Sequence, residues 1–400
     1  MEVKSLALKL LLGVIILVVL LWQLQIQLKP NVLKPKMKKA QRENTSYTSQ
    51  NKVLLEKPAM KEIQSEKESN TSQNNTKSWL IVYYSTFFGR RLNLQEKWSK
   101  GECPVPCEIT SDPSRANEAD GIVIHGRDAQ MTPPKKSVPW ILQIQENPVY
   151  TPLLKNANFM SKFNLLKSYR LDSDFPNPTV LLPKLTPPIP FKTKTGLVMA
   201  AFSNCEPVRT EYMRQLMKFV QVDSYGGCLH NKNGLTGRYR NQNGKDFRDI
   251  KSDLARQYKF TLVFFNQDCD YFVDAQLHHA WNAGSVPVVM ATDKLDEFLP
   301  GPYLNHSVIK VRDFATPQLL ANYLKYLSNN ETEYNKYLEW KWKGFGDITG
   351  TAIGDYWMPK YPIYCKVCVA LAEGRIHKDG LKPIPCKARQ FSDWKITKGA

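Results

Sequence analysis

KFTLVFFNQDCDYFVDAQLHHAWNAGSVPVVM, residues 259–290, decides the fold. KFTLVFF (259–265) is a β-branched and aromatic run of strand length, SVPVVM (285–290) is a second, and Asp270 to Ala283 between them reads as a helix. Strand, helix, strand is a βαβ unit, so the sheet is parallel. In such a unit the loop after the first strand lies at its carboxyl end and opens a helix N-terminus, where backbone N–H groups and the helix dipole suit a diphosphate. Asn266, Tyr271 and Asp274 are therefore expected where a nucleotide binds. Asp268 and Asp270 have a blander reading, as caps of the same helix.

Outward from this unit the pattern repeats. WLIVYYS (79–85), GIVIHG (121–126), WILQIQ (140–145) and GLVMAAF (196–202) read as strands. Tyr212, Leu216, Phe219 and Val220 recur at helical spacing in a helix starting near Arg209, and Leu319, Leu320, Tyr323, Leu324 and Leu327 mark another, entered between Asp313 and Pro317. A Pro-rich stretch from Pro176 to Pro190 separates two α/β blocks. The expected architecture is α/β, with two Rossmann-like domains at 79–190 and 191–345 facing across a cleft, and a Cys-containing tail at 346–400.

Residues 29–78 are rich in Lys, Gln, Asn, Ser and Glu and lack an apolar period, so they read as a flexible stem. Before it, Leu6 to Trp22 is apolar apart from Lys9, close to the about 20 residues that span a bilayer. With Trp22 and Gln23 where a cleaved signal peptide needs small residues, residues 1–28 are expected to be a short tail and an uncleaved signal anchor. Five sequons, at Asn44, Asn70, Asn74, Asn305 and Asn330, follow the span and favour a lumenal C-terminus, whereas Lys29, Lys34, Lys36, Lys38 and Lys39 just beyond it oppose that orientation.

The balance of 55 Lys+Arg against 37 Asp+Glu gives a formal charge of +18. Nucleic-acid motifs are absent from the sequence, so an anionic nucleotide substrate accounts for the charge better than nucleic acid does. The eight cysteines suit disulfides in an oxidising lumen. The alternative is a zinc site from Cys103, Cys107, Cys365 and Cys368, whose spacings fit metal ligation but which have no His close by. Asp268-Cys269-Asp270 and Asp172-Ser173-Asp174 have the D-x-D form that holds a divalent ion, a short and common pattern. His278 and His279 are adjacent on a helix and cannot make an i, i+4 metal pair.

Residues 264–290 resemble the donor-binding signature of the α1,3-fucosyltransferases, F-E-N, then D-Y-x-T-E-K, a helix, and A-G-x-V-P-V. Phe265 and Asn266, Asp270 and Tyr271, then Ala283, Gly284, Val286, Pro287 and Val288 match; Asp274 replaces Glu, Val273 replaces Thr, and Ala275 stands where the family has Lys. FSNCEPVRTEYMRQL (202–216), DSYGGCLHNK (223–232), Glu146-Asn147-Pro148, Phe163-Asn164 and SYRLDSDF (168–175) extend the likeness in the same order, as do the Y-x-x-Y-L-x-W-K ending and Cys365-x2-Cys368.

The resemblance implies transfer of fucose, with inversion, from GDP-fucose to a glycan hydroxyl, N-acetylglucosamine being the expected acceptor and the Golgi membrane, or second the endoplasmic reticulum, the expected location. Glu146 would be the catalytic base, and Arg209, Asn266, Tyr271 and Asp274 would hold the donor. No cofactor is essential on this reading, and a divalent metal at most stimulates. Losing the cation at 275 should cost on the order of 3 kcal/mol, roughly a hundredfold in rate. Lys251 and Lys259 are the candidates to replace it; without replacement, the chain would be a non-catalytic glycan- or glycoprotein-binding descendant.

Overall fold

The computed structural model describes residues 77–129, 137–234 and 247–396. The expected anchor at 6–22, nearly all of the stem, and Asn44, Asn70 and Asn74 lie outside them. Among the described residues no helix is long and apolar enough to cross a membrane.

Two sheets carry the chain. The first holds β1 (Trp79–Tyr83), β2 (Gln95–Trp98), β3 (Cys107–Thr110), β4 (Gly121–His125), β5 (Trp140–Ile144), β6 (Leu165–Ser168) and β7 (Phe175–Pro176), in the order β2-β3-β1-β4-β5-β6-β7. All neighbours in it are parallel except β2 on β3. The second is wholly parallel, β12-β11-β10-β8-β9, from β8 (Gly196–Ala200), β9 (Val222–Ser224), β10 (Tyr258–Phe264), β11 (Val286–Met290) and β12 (Ile309–Lys310).

Parallel strands are covered on both faces, which is why they read as unbroken apolar runs. On one face of the second sheet Val198, Phe260, Leu262 and Val288 pack under Tyr212 and Leu216 of the Pro207–Met217 helix and Leu320 and Leu324 of the Pro317–Ser328 helix. In the first sheet Ile81, Val123 and Ile141 meet Val367 and Leu371 of the Ile363–Ala372 helix, while Val82, Ile122 and Leu142 face the other way. A third core joins the halves: Tyr169, Leu171 and Val180 pack with Phe265, Phe272, Leu277 and Trp281. Residues 363–396 divide between the sheets, the Ile363–Ala372 helix on the first and Trp394 and Ile396 on the second.

The cysteines pair as Cys103–Cys365, Cys107–Cys368, Cys205–Cys228 and Cys269–Cys386. The zinc alternative therefore falls, because all four of its sulfurs are consumed in two disulfides that staple the Ile363–Ala372 helix to the first sheet. Each such crosslink contributes about 2–5 kcal/mol.

Two helix boundaries differ from the sequence expectation. The helix after β10 runs Ala275–Ala283, five residues later than its pattern suggested, because Tyr271 adopts a left-handed φ of 62° and Asp274 caps the first turn. The cap is thus Asp274, and neither Asp268 nor Asp270. The Pro207 helix ends at Met217, leaving Phe219 and Val220 in the following turn, whereas the Pro317 helix, capped by Thr316, begins within the expected stretch from Asp313 to Pro317.

Gly284 closes the Ala275–Ala283 helix at φ +64°, and a Cβ there would lie 2.4 Å from Cβ of Pro188 in the Pro-rich connection. Gly284→Ala combines left-handed strain with a clash, and should destabilise the protein by about 2–4 kcal/mol. The thermal midpoint of the non-reduced protein checks this, and an unshifted midpoint would mean that the connection does not pack against the helix end.

Candidate active site

The second sheet, taken in chain order, has its strands arranged second-first-third-fourth-fifth, so its topological switch point is the gap between β8 and β10. In open α/β sheets ligands bind outside the carboxyl ends of the strands at that point. Two loops leave it: 201–206 after β8, leading into the Pro207 helix with Arg209, and 265–274 after β10, leading into the Ala275 helix. Facing them is the turn after β5 of the first sheet, which carries Glu146.

The turn is shaped by Asn147, whose side-chain oxygen accepts from the backbone N–H of Val149 (3.0 Å) and Tyr150 (3.3 Å). Asn147 also donates to Glu146 Oε1, from its backbone at 3.0 Å and from Nδ2 at 2.8 Å, and the same Nδ2 donates to Asn266 Oδ1 at 2.9 Å. One buried amide thus ties the carboxylate of the first sheet to the loop of the second. Glu146 is half-buried. Burial pushes its carboxyl above the ordinary glutamate range and the Asp274 carboxylate pushes the same way, against the Asn147 N–H, Arg127 and Asn266.

Asp274 accepts from Gln276 through its backbone N–H (2.8 Å) and its side-chain amide (2.9 Å). Ala275 offers no charge, yet a cation stands nearby. Lys251 of the Phe247–Ala255 helix lines a pocket with Met199, Ala201, Gln276 and His279, beside the N-terminus of the Ala275 helix. Burial lowers its ammonium to about 8, with Asp274 opposing the fall and Arg209 adding to it. Lys259 is elsewhere, bonded to the Ser328 carbonyl at 2.7 Å over the ring of Phe191.

Arg209 is 2 % exposed, and its guanidinium donates to the carbonyls of Phe264 (2.5 Å) and Asn204 (Nε, 3.1 Å, and Nη2). It therefore braces the two loops against each other at the switch point. Burial lowers it to about 10. Tyr271 lies farther along the same loop; its hydroxyl donates to Glu297 at 3.3 Å and its ring lies 5.1 Å from the Arg170 guanidinium and 5.6 Å from the Lys294 ammonium. Glu146, Asn266, Asp274 and Arg209 are thus linked by bonds or charge, whereas Tyr271 belongs to a neighbouring cationic group.

Each D-x-D pair has at least one carboxylate already engaged within the protein. Asp268 accepts from Arg389 and from Trp394 Nε1 (2.9 Å), and Cys269 is in a disulfide. Asp172 holds Arg170 in a two-point pair, and Asp174 accepts from the Leu166 N–H at 2.7 Å and contacts His377. Among the described residues no three acidic, His or Cys groups cluster as metal ligands. His278 contacts the Leu181 carbonyl and Asn282, a packing role. Asn305 is exposed, and Asn330 caps the Glu331–Lys336 helix through Glu333 N (3.1 Å).

Sequence reasoning missed Asn147 and Arg389. The first had a signal, since Asn before Pro initiates turns that use the Asn side chain. The second had none, because its partners are more than a hundred residues away.

A profile described as "Glycosyltransferase family 10 (fucosyltransferase) C-term" matches residues 191–384, and one described as "Fucosyltransferase, N-terminal" matches residues 76–179. Among curated relatives, the GDP-fucose protein O-fucosyltransferase 3 of Danio rerio is 36 % identical over 225 residues, 53 % of this chain and 48 % of that protein. That of Homo sapiens is 29 % identical over 231 residues, 54 % and 47 % respectively. The chain thus spans about half the length of the curated relatives it matches. A crystal structure of an α1,3-fucosyltransferase with GDP-fucose aligns over 77 % of this chain and 93 % of its own, at 16 % identity and a TM-score of 0.45. Between them the two family profiles account for both sheets, and the chain belongs to the glycosyltransferase family 10 fucosyltransferases.

Proposed function

We propose that this chain transfers L-fucose, with inversion, from GDP-fucose to an acceptor hydroxyl, in two facing Rossmann-like domains (79–190 and 191–345) of the glycosyltransferase B type. The observation that carries the reading is the bond from Asn147 to both Glu146 and Asn266, which sets a carboxylate of raised pKa against the loops of the switch point. The acceptor oxygen attacks the anomeric carbon opposite the diphosphate, Glu146 takes the acceptor proton, and the bond to GDP breaks with its electron pair leaving on the phosphate oxygen. GDP gains charge as it leaves, and Arg209 and Lys251 are the cations beside the switch point. Asp274 and Asn266 meet donor hydroxyls, and Tyr271 packs at the outer edge of the donor.

The names of the relatives favour a hydroxyl oxygen on a protein as the acceptor. The wider motif likeness favours an α1,3 bond to N-acetylglucosamine, and an acceptor screen against folded protein modules and N-acetylglucosamine-terminated glycans separates them. Four disulfides suit an oxidising lumen, in keeping with a type II Golgi membrane protein held by residues 6–22. No metal is required on this reading.

Calorimetric titration of GDP-fucose into the secreted chain should give binding in the micromolar range. No heat with either GDP or GDP-fucose would leave the non-catalytic glycoprotein-binding descendant as the better account. Glu146→Gln should abolish transfer with donor affinity almost unchanged. Because only the ionised carboxylate accepts a proton, kcat/KM in the parent should rise with pH through a value above the usual glutamate range. Normal turnover in the variant would remove Glu146 from the chemistry.

Lys251 supplies charge only while protonated, so the same profile should fall as pH rises through about 8. Lys251→Met should lower kcat/KM roughly a hundredfold at pH 7 and erase that alkaline limb. Restoring the cation on the other helix, Ala275→Lys in the Lys251→Met background, should recover most of the rate. A Lys251→Met enzyme as fast as the parent would show that the missing cation is not replaced from this helix.

A further inference from the structure

Past residue 384, where the family likeness ends, the chain crosses the donor loops and is pinned to them. Cys386 is disulfide-bonded to Cys269 in the loop after β10. Three residues on, Arg389 is fully buried along its side chain. Its backbone N–H donates to Gln267 Oε1 at 3.1 Å, Nε donates to Asp268 Oδ2 at 2.7 Å with Nη2 on the other carboxylate oxygen, and Nη1 donates to the Phe265 carbonyl at 2.9 Å and to Glu206 Oε2 at 3.3 Å. Trp394 donates to Asp268 and, with Ile396, enters the core of the second sheet.

Glu206 links this cluster to the switch point. It caps the Pro207 helix by accepting from the backbone N–H groups of Val208 (3.0 Å) and Arg209 (2.9 Å). One guanidinium thus spans the loop after β8 through Glu206 and the loop after β10 through Phe265, Gln267 and Asp268. Those loops carry Arg209 on one side and Asn266 to Asp274 on the other. A buried guanidinium that satisfies two carboxylates is expensive to remove, because both are then left without a counter-ion in a low-dielectric site. Arg209 stands close by: its backbone N–H donates to Glu206 at 2.9 Å, and its guanidinium feels the charges of both Glu206 and Arg389.

We infer that residues 386–396 form a strap that sets the spacing of the donor site, with Arg389 as its positioning residue. The inference rests on the reading that GDP-fucose binds at the β8–β10 switch point. Loss of Arg389 lets the two loops part and draws Arg209 toward Glu206, away from the Phe264 and Asn204 carbonyls. The chemistry at Glu146 on the first sheet is untouched, so the loss is expected in donor affinity before it is expected in turnover.

The test compares Arg389→Ala and Arg389→Lys in the full chain by GDP titration, by KM for GDP-fucose against kcat, and by amide hydrogen exchange. Arg389→Ala should weaken GDP binding and raise KM by about tenfold or more, with kcat changed far less, since small misplacements of binding groups have effects of that size. Exchange should quicken in 202–209 and 265–274 while 121–125 and 140–144 keep their parental protection. Arg389→Lys, which keeps the charge but makes fewer contacts, should recover part of both effects. GDP affinity within twofold of the parent, with those loops loosened, would overturn the inference and leave the strap a fold staple. Parental exchange in the loops of both variants would overturn it as well. A parent that binds no GDP would sink the donor reading instead, and the strap would then be judged on the exchange data alone.

Discussion

The apolar contact between Tyr169, Leu171 and Val180 on one side and Phe265, Phe272 and Trp281 on the other fixes everything that the site requires. Each half presents the carboxyl ends of its own parallel strands, and neither holds a complete set of groups. Glu146 is tied to Asn266 through Asn147, whose amide bonds both residues across the two sheets. Packing of large side chains across the join sets the distance at which Asn147 can reach both. Trp357 adds a polar pin, its indole N–H donating to the Val180 carbonyl at 2.8 Å. A hydrogen bond of 2.9 Å tolerates little drift, so the Asn147–Asn266 contact depends on that packed join.

Charge at the switch point is arranged by economy. Arg209 is nearly fully buried and its donors go to backbone carbonyls, so it contributes field and rigidity more than an open fork. Lys251 is softer, with its ammonium lowered by burial to about 8, and it remains largely charged at neutral pH. Arg389 neutralises Glu206 and Asp268 from behind and keeps those carboxylates from competing for the cations in front. Substituting one residue in a family signature therefore does not fix the charge of the site, which is a sum over helices that the signature does not include.

Much of the fold was legible because parallel strands leave an unambiguous trace. WLIVY, GIVIH, WILQI, GLVMA and YKFTLVF lie on strands within a residue or two of where their apolar runs suggested. The short strands β2, β3, β6, β7, β9 and β12 leave no such trace, since two to four residues carry no period. The helix after β10 starts at Ala275, five residues later than its pattern suggested, because the left-handed Tyr271 that delays it leaves no mark in the sequence. Around the site, Glu146 and Arg209 were implied by the family resemblance, and Lys251 was one of two lysines that sequence alone could not separate. The disulfides could be expected as a class but not as pairs: Cys103 finds Cys365 across 262 residues only because the sheet and the helix face each other there.

Glu146 is the residue on which the catalytic and non-catalytic accounts differ most in physical terms. Holding a carboxyl half-buried, near Asp274 and with no direct ion pair among the described residues, is unfavourable; a glutamine would keep the size and accept the same amide bonds without the charge. A protein that only grips glycans gains nothing from that cost. A base that must be ionised, yet eager for a proton when an acceptor hydroxyl arrives, gains from it directly. The neighbouring amides of Asn147 and Asn266 hold the carboxylate in place without neutralising it, and that combination is suited to taking a proton rather than to holding a sugar.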